Sequence, residues 1–245
     1  MTGKSGAPKV KAPPIEPPAT PDKRGVTELA IGFLMALVAM IAFAFLADGI
    51  RLQETFALDQ YANPFLHAIS SPALDLVMNG ITTIGDIPFV TIAFLIAMGY
   101  LLYRRLRAEA LFLATAILGS VALNGILKVF IQRPRPQLPW AHVLPDYSFP
   151  SGHSMNSLVF YLAIAMIIWA RSKPPAGAIA VIVALLIAIA VGLSRIYLGY
   201  HYLSDVVGGY AAGLAWLLVV ALSFESIPRS WAHRPWARRA PKRSS

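Results

Sequence analysis

Six side chains suited to phosphate chemistry lie in three short segments, each beside an apolar run of the sequence. Arginine and lysine carry positive charge, and a guanidinium group can hold two phosphate oxygens at once. Histidine can attack phosphorus or move a proton near neutral pH. These residue types together predict the binding and transfer of a dianionic phosphoryl group. The six are Lys128 and Arg135 in the first segment, His153 in the second, and Arg195, His201 and Asp205 in the third.

His201 and Asp205 are the candidates for a nucleophile and its partner. They are four residues apart, a spacing that places two side chains on one face of a helix. A carboxylate that holds one imidazole nitrogen makes the other nitrogen a better nucleophile or base. A lone histidine at a membrane boundary is more often a structural hydrogen-bonding group, but Asp205 and the nearby Arg195 favour a chemical role. His153 is then available to protonate the departing oxygen.

The second segment, Pro150-Ser151-Gly152-His153, is typical of the start of a helix. The first amide groups of a helix are free to bind an anion, and the helix dipole strengthens that binding. Gly152 would let a ligand approach the backbone closely. The alternative interpretation is that these residues only cap the helix.

The composition places these segments in a membrane protein. Of the 245 residues, 57% are apolar and 13% charged, and the mean hydropathy is +0.61. A soluble domain of this length needs more polar surface. The net charge of +9 does not indicate nucleic-acid binding, because the basic residues lie between apolar segments and at the two ends. With no cysteine, neither a disulfide framework nor a cysteine-based metal site can form.

The apolar runs predict an all-α membrane protein with six transmembrane helices in a bundle. The stretch 51–86 is too polar to span a bilayer, and its apolar residues recur at helical spacings. We therefore expect interfacial helices between the first two spans, with an ordinary long loop as the alternative. Each predicted span is an apolar run close to the length that crosses the hydrocarbon core. The spans are 29–50, 87–103, 108–130, 155–170, 175–193 and 206–224.

The composition of the two ends of the sequence predicts the domain boundaries, and the positions of the basic residues predict the orientation in the membrane. Residues 1–27 form a basic, Pro-rich tail that cannot bury a core, 28–224 form the membrane domain, and 225–245 form a second basic tail. Sixteen of the 21 Lys and Arg residues lie in the tails and in the turns at 104–107 and 171–174. The positive-inside rule places these parts in the cytoplasm and the three chemical segments on the outer side. The tails are expected to contact anionic lipids of the cytoplasmic leaflet.

The three segments together resemble the signature of the type 2 phosphatidate phosphatase family, which is related to the vanadium haloperoxidases. The matching patterns are Lys128-x6-Arg135-Pro136, Pro150-Ser151-Gly152-His153, and Ser194-Arg195-x5-His201-x3-Asp205. The resemblance covers essentially residues 28–224 and implies a bacterial inner-membrane enzyme without a metal ion or other cofactor. It is this family pattern, rather than any single segment, that makes the match specific.

The resemblance also implies a role for each matching residue. His201 would attack phosphorus and form a phosphohistidine, Asp205 would orient it, and His153 would act as acid and then as base. The phosphoryl oxygens would be held by a set of cations and helix-terminal groups. That set consists of Lys128, Arg135, Arg195, Ser151 and the amide of Gly152.

The implied reaction is hydrolysis of a lipid phosphate or diphosphate at the outer face of the membrane. Candidate substrates are phosphatidic acid, diacylglycerol pyrophosphate, undecaprenyl pyrophosphate, phosphatidylglycerol phosphate and a lipid A phosphate. Two alternatives remain open at this point. One is transfer of the phosphoryl group to another lipid through the same residues, and the other is a non-catalytic lipid-phosphate binder or transporter.

Several nearby residues lie outside the signature. We expect the side chain of Arg133 to face solvent or lipid headgroups. Asn124, one helical turn before Lys128, could either orient that lysine or form an interhelical hydrogen bond. Three tyrosines near His201 suit an aromatic belt at the membrane interface. These are Tyr197, Tyr200 and Tyr202.

Overall fold

The computed structural model describes residues 23–52, 56–141 and 144–224, and every regular element within these ranges is an α-helix. The two tails, apart from the start of the first helix at Lys23, lie outside the described residues. The eight helices are α1 Lys23–Arg51, α2 Ala57–His67, α3 Pro72–Thr83, α4 Ile87–Tyr103, α5 Arg107–Ile131, α6 Gly152–Arg171, α7 Pro174–Tyr197 and α8 Leu203–Ser223.

Five of these helices are long and apolar enough to cross a membrane alone, namely α1, α5, α6, α7 and α8. A sixth candidate span is the pair of α3 and α4, which are long enough only together and meet at a break with a bend of 45°. The prediction of an all-α membrane protein is confirmed, with five or six candidate spans. The stretch between the first two spans contains α2 and α3, as the helical spacing of its apolar residues predicts.

Helix α6 lies at the centre of the bundle and α1 at its edge. Of the most apolar window in each helix, 61% is buried in α6 but only 11% in α1. The outward side chains of α1 are large and apolar, such as Phe33 and Phe45, which are 65% and 70% exposed. In a bilayer such side chains face lipid tails, so their exposure carries no hydrophobic cost. The buried apolar cluster lies mainly between α5, α6, α7 and α8.

The bundle has two chemically different ends. At one end, α5 and α7 finish and α6 and α8 begin, and the ring of Phe149 there stacks on Phe43 of α1 at 5.5 Å. At the other end, Arg171 donates a hydrogen bond to Glu109 at 2.7 Å, joining the end of α6 to the start of α5. The turns at 104–107 and 171–174 lie at this second end. All three chemical segments lie at the first.

The helices extend beyond the predicted spans, by six residues at the start of α1 and by three or four at the first end of the bundle. Helix α6 begins at Gly152 instead of 155, α7 continues to Tyr197 instead of 193, and α8 begins at Leu203 instead of 206. The added turns contain His153, Arg195 and Asp205. An apolar window stops at such residues, whereas the helix continues through them because its backbone hydrogen bonds do not depend on side-chain polarity.

Candidate active site

The turn between α7 and α8 carries His201 into the interior of the first end. Gly199 adopts a φ of +76°, and a Cβ atom there would lie 2.8 Å from the Cβ of Ala141, so the turn requires glycine. Asn63 of α2 fixes the turn from the side, because its amide donates to the carbonyl oxygens of Ile196 and His201 at 2.9 and 3.1 Å. His201 is 1% exposed as a result.

Helix α8 approaches the start of α6 unusually closely. A Cβ on Gly209 would lie 2.7 Å from the carbonyl oxygen of Ser151, a distance that only glycine tolerates. Within this contact the amide of Ser151 donates to the carbonyl of Asp205 at 3.0 Å. The close approach of the two helices therefore brings the second and third segments together.

His201 and Asp205 meet as predicted, but a hydroxyl group joins them. The Nδ1 atom of His201 is 3.4 Å from Oδ2 of Asp205 and 3.3 Å from Oγ of Ser148. Ser148 in turn donates a hydrogen bond to the same carboxylate oxygen and is fully buried. Because 3.4 Å is long for a hydrogen bond to a carboxylate, Ser148 is an important part of the link between the two residues.

The other imidazole nitrogen of His201 faces a cation. Its Nε2 atom is 3.2 Å from Nη1 of Arg135. Burial lowers the pKa of His201 to about 3; hydrogen bonding to Asp205 opposes this shift, and the charges of Arg135 and Arg195 add to it. The imidazole is therefore neutral at neutral pH. With Nδ1 turned to Ser148 and Asp205, the lone pair of the neutral ring lies on Nε2, on the side of the cations.

Arg133 is a buried member of this cluster, so the prediction of a solvent- or headgroup-facing side chain is wrong. Its side chain is 12% exposed and pairs with Oδ1 of Asp205 at 2.5 Å and with Asp59 of α2 at 2.8 Å. The ring of Tyr202 lies 4.2 Å from the guanidinium carbon. Burial acts to lower the pKa of Arg133, but the two carboxylates outweigh it and raise that pKa. Two buried acids and one permanent cation thus compensate one another.

Lys128 and Arg135 of the first segment converge on an acid that the sequence did not indicate. Asp146 accepts a hydrogen bond from Lys128 at 2.5 Å and two from Arg135, at 2.7 Å from Nη2 and 3.1 Å from Nε. Burial acts to raise the pKa of Asp146, but the two cations outweigh it and hold that pKa at about 2. The two predicted phosphate ligands are therefore brought together, with a carboxylate between them.

Of the three candidate phosphate-binding cations, Arg195 forms the fewest hydrogen bonds and ion pairs in the described residues. The residue is 4% exposed, its Nη1 atom donates to Thr82 at 2.8 Å, and its guanidinium lies over the ring of Tyr200 at 4.2 Å. No carboxylate pairs with it in the described parts of the chain, and its Nε atom is buried without a hydrogen-bond partner. A buried guanidinium without an acid partner is costly unless an anion compensates it.

The start of α6 has the two features expected of an anion site at a helix terminus. Ser151 is the N-cap residue, and its hydroxyl accepts from the amide and hydroxyl groups of Ser154 at 3.4 and 3.0 Å. The amide groups of Gly152 and His153 have no acceptor among the described residues. The Ser151 side chain thus caps the helix, which was the alternative interpretation, while the backbone amides remain available to an anion.

His153 contacts an acid on a different helix. Its Nε2 atom forms a short hydrogen bond with Asp86, the N-cap residue of α4. The Nδ1 atom forms no hydrogen bond within the described ranges, and the side chain is 21% exposed. His153 therefore has its own acidic partner, separate from the one that holds His201.

Asn124 and the three tyrosines near His201 have contacts that the sequence predicted only in part. Asn124 donates to the carbonyl of Pro150, just before α6, at 3.2 Å and to Sδ of Met155 in α6 at 3.6 Å, so its side chain links α5 to α6 and forms no hydrogen bond with Lys128 among the described residues. The three tyrosines do not form an aromatic belt. Tyr197 is 2% exposed and donates to Asp75, whereas Tyr200 and Tyr202 each lie beneath an arginine.

Sequence reasoning missed the part that several polar residues play in the cluster, among them Asp59, Asp86, Arg133, Asp146 and Ser148. Two of them, Asp146 and Ser148, lie just before the second segment, so their position was the one available signal. In the described residues, no group of three or more histidine, cysteine or acidic side chains has the arrangement of a metal site.

Comparison with known proteins identifies the family of this chain. The family described as the PAP2 superfamily matches residues 109–228. Phosphatidylglycerophosphatase B of Bacillus subtilis is 34% identical over 192 residues, which cover 76% of this chain and 93% of that protein. Lipid A 4'-phosphatase of Porphyromonas gingivalis is 30% identical over 164 residues, covering 61% and 65%.

A solved structure shares most of this fold. The crystal structure of a transmembrane PAP2 type phosphatidylglycerolphosphate phosphatase from Bacillus subtilis superposes with a TM-score of 0.70 at 31% identity, covering 76% of this chain and 94% of that one. The membrane helices, the three segments at one end of the bundle and these similarities lead to one conclusion: the chain is an integral membrane protein that belongs to the PAP2 superfamily.

Proposed function

We infer that this protein hydrolyses lipid phosphates at the outer face of the membrane through a phosphohistidine at His201, without a metal ion. Its family and its 34% identical relative make it a phosphoric monoester hydrolase. The observation that carries the mechanism is the environment of His201. Its ring is neutral, its Nδ1 is held by Ser148 and Asp205, and its Nε2 faces the cations.

In the first step, Nε2 of His201 attacks phosphorus and the bond from phosphorus to the lipid oxygen breaks. The electron pair of that bond stays on the lipid oxygen, which takes a proton from His153. The positive charge that develops on His201 is compensated by Asp205. The hydrogen bond between Nε2 of His153 and Asp86 orients the ring, which leaves Nδ1 as the atom that would exchange the proton.

In the second step, a water molecule attacks phosphorus and the bond from phosphorus to His201 breaks. His153, now neutral, takes the proton of the water, and inorganic phosphate leaves. Charge on the phosphoryl oxygens is compensated in both steps by Lys128, Arg135 and Arg195 and by the free amides of Gly152 and His153. Phosphoryl transfer requires mostly positioning and charge stabilisation, which these groups supply.

The distribution of charge supports the proposed outer location of the site. The three segments lie at the end of the bundle opposite the basic turns at 104–107 and 171–174. The positive-inside rule places those turns in the cytoplasm. A lipid headgroup in the outer leaflet then reaches the site without crossing the hydrocarbon core.

The substrate that the relatives favour is phosphatidylglycerol phosphate. The Bacillus subtilis relative and the Bacillus subtilis crystal structure carry the name of that activity, and the Porphyromonas gingivalis relative is named a lipid A 4'-phosphatase. The test is phosphate release by the purified protein in detergent, with excess EDTA, from phosphatidylglycerol phosphate, phosphatidic acid, undecaprenyl pyrophosphate and lipid A. We expect inorganic phosphate from the first of these at the highest rate.

Three results would contradict this proposal. A requirement for an added divalent ion would exclude the metal-independent mechanism. Recovery of the phosphoryl group on a second lipid, with no inorganic phosphate, would identify a phosphotransferase. Binding of the four lipids without any turnover would identify a lipid-phosphate binder.

A further inference from the structure

Asp146 occupies the hydrogen-bond donors that a phosphoryl group would need. The Nε and Nη2 atoms of Arg135 donate to the Asp146 carboxylate, and Nε also lies 3.1 Å from the backbone carbonyl oxygen of Asp146. Its Nη1 atom donates to the carbonyl of Tyr200 at 2.7 Å. Lys128 donates to the same carboxylate and to the carbonyl of Tyr147 at 2.6 Å. One carboxylate therefore bridges two of the three cations assigned to the phosphoryl group.

The bridge lies directly beside the proposed attacking atom. Nη1 of Arg135 is 3.2 Å from Nε2 of His201, so a phosphorus atom in line with Nε2 would place its oxygens next to this guanidinium. The phosphoryl oxygens and the Asp146 carboxylate are both anionic, so they compete for the same hydrogen-bond donors. They cannot share these donors, because the Asp146 carboxylate occupies both Nε and Nη2 of Arg135 while Nη1 donates to Tyr200.

The solvent exposure of Asp146 differs from that of the two cations. The side chains of Lys128 and Arg135 are 14% and 8% exposed, whereas that of Asp146 is 53% exposed and belongs to a segment without regular structure. The carboxylate can therefore turn into solvent while the cations stay in place. With a pKa held at about 2, Asp146 remains an anion throughout the neutral range, so protonation does not release the bridge.

We propose that Asp146 is an affinity-setting residue that competes with the phosphoryl group for Lys128 and Arg135, and that the headgroup binds by displacing it. This proposal rests on the phosphate site described under Proposed function. Phosphate binds only the open arrangement, in which Asp146 has left the two cations. The apparent affinity for phosphate therefore falls as the population of the bridged arrangement rises. If that arrangement is populated about nine-tenths of the time, the apparent dissociation constant is about tenfold higher than that of the open site.

Competition between Asp146 and phosphate would assist product release. The product, inorganic phosphate, is held by the same cations and must leave before the next lipid enters. An internal anion that replaces the product at Lys128 and Arg135 compensates their charge during release. Asp146 thus weakens the binding of substrate and product alike, and its loss should make product inhibition stronger.

The test is equilibrium binding of inorganic phosphate to the full-length protein in detergent, measured by isothermal titration calorimetry at constant ionic strength. Asp146→Asn keeps the size of the side chain but removes its charge. We expect this variant to bind phosphate about tenfold more tightly than the unchanged protein, whereas Asp146→Glu should bind like the unchanged protein. Steady-state hydrolysis should show a matching fall in the inhibition constant of phosphate.

Glu109→Gln is the matched control, because Glu109 is also paired with an arginine but lies at the opposite end of the bundle. It makes the same change in net charge and should leave phosphate affinity unchanged. Equal or weaker phosphate binding by Asp146→Asn would overturn the proposal and show that Asp146 instead positions the cations. A gain shared by Glu109→Gln would also overturn it, as an effect of net charge. Absence of phosphate binding in all variants would refute the phosphate site itself.

Discussion

The guanidinium of Arg133 donates to Oδ1 of Asp205 at 2.5 Å, at the oxygen that does not face His201. The other oxygen of this carboxylate receives Ser148, the amide of Tyr202 and, at longer range, His201. Asp205 thus has a permanent cation on one side and the candidate nucleophile on the other. This arrangement keeps the carboxylate charged and fixed in orientation while the charge on His201 changes.

The first prediction follows from that pair. Arg133→Ala leaves the buried carboxylates of Asp59 and Asp205 without their cation, which should cost about 3–5 kcal/mol of stability and abolish most activity. Thermal unfolding in detergent and initial rates measure the two effects. Arg107→Ala, which removes an exposed arginine at the start of α5, serves as the control. Full activity and an unchanged melting temperature in Arg133→Ala would show that Arg133 has no part in the site.

Arg133 also shows why part of the site could not be predicted. Its partner Asp59 is 74 positions away in sequence, on a helix that the sequence indicates only by the spacing of apolar residues. Long-range pairing of this kind has no local pattern. The His201–Asp205 contact could be predicted because the separation of four residues is itself the helical repeat.

Helix boundaries and loop residues could also be predicted only in part from the sequence. The apolar runs predict α4 at its observed bounds, since hydrophobicity alone determines a lipid-facing helix. They miss the first turn of α8, where Asp205 interrupts the apolar run. Ser148 and Asp146 lie in a segment without regular structure, where no periodicity indicates which side chains face inward.

The second prediction concerns Ser148 as a positioning residue. Ser148→Ala removes the hydroxyl that joins Asp205 to Nδ1 of His201, so the wrong tautomer or orientation of the ring becomes populated. We expect kcat to fall on the order of 10- to 100-fold with little change in KM, because the loss affects a transition-state interaction. Ser148→Thr should recover part of the rate.

Ser120→Ala is the control for this variant. Ser120 is also a fully buried hydroxyl with one side-chain partner, Asn156, but it lies within the bundle and outside the site. A general effect of deleting a buried hydroxyl would appear in both variants. An equal loss of rate in the two, or a loss confined to KM in Ser148→Ala, would argue against the proposed link.

The third prediction separates the acid from the nucleophile. His153→Ala and Asp86→Asn should slow the hydrolysis of phosphatidic acid, whose alkoxide leaving group needs a proton, more than that of an activated nitrophenyl phosphate. Asp86→Asn should be the milder of the two, because His153 remains. Rates on both substrates give the ratio. The same ratio in the variants and the unchanged protein would remove His153 from the role of acid.

The fourth prediction concerns sidedness. The native chain has no cysteine, so single cysteines can be introduced without background. Gln137→Cys, in the loop beside Arg135, should react with a membrane-impermeant thiol reagent added to intact cells. Ser172→Cys, in the turn after α6, should react only after the membrane is opened. The reverse pattern would place the site in the cytoplasm.

The central claim is that phosphorus becomes bonded to His201, and trapping the phosphoenzyme tests it most directly. Rapid quenching in alkali with a lipid substrate labelled in its phosphate should capture label on the protein, because a phosphorus–nitrogen bond survives alkali and is lost in acid. His153→Ala should accumulate more label from an activated ester, since its second step lacks the base. His67→Gln should behave like the unchanged protein.

In this experiment His201→Ala should carry no label with any substrate, and peptide mapping of the unchanged protein should place the label on His201. Label retained by His201→Ala, label located on another residue, or hydrolysis that proceeds at the normal rate in His201→Ala would contradict the account.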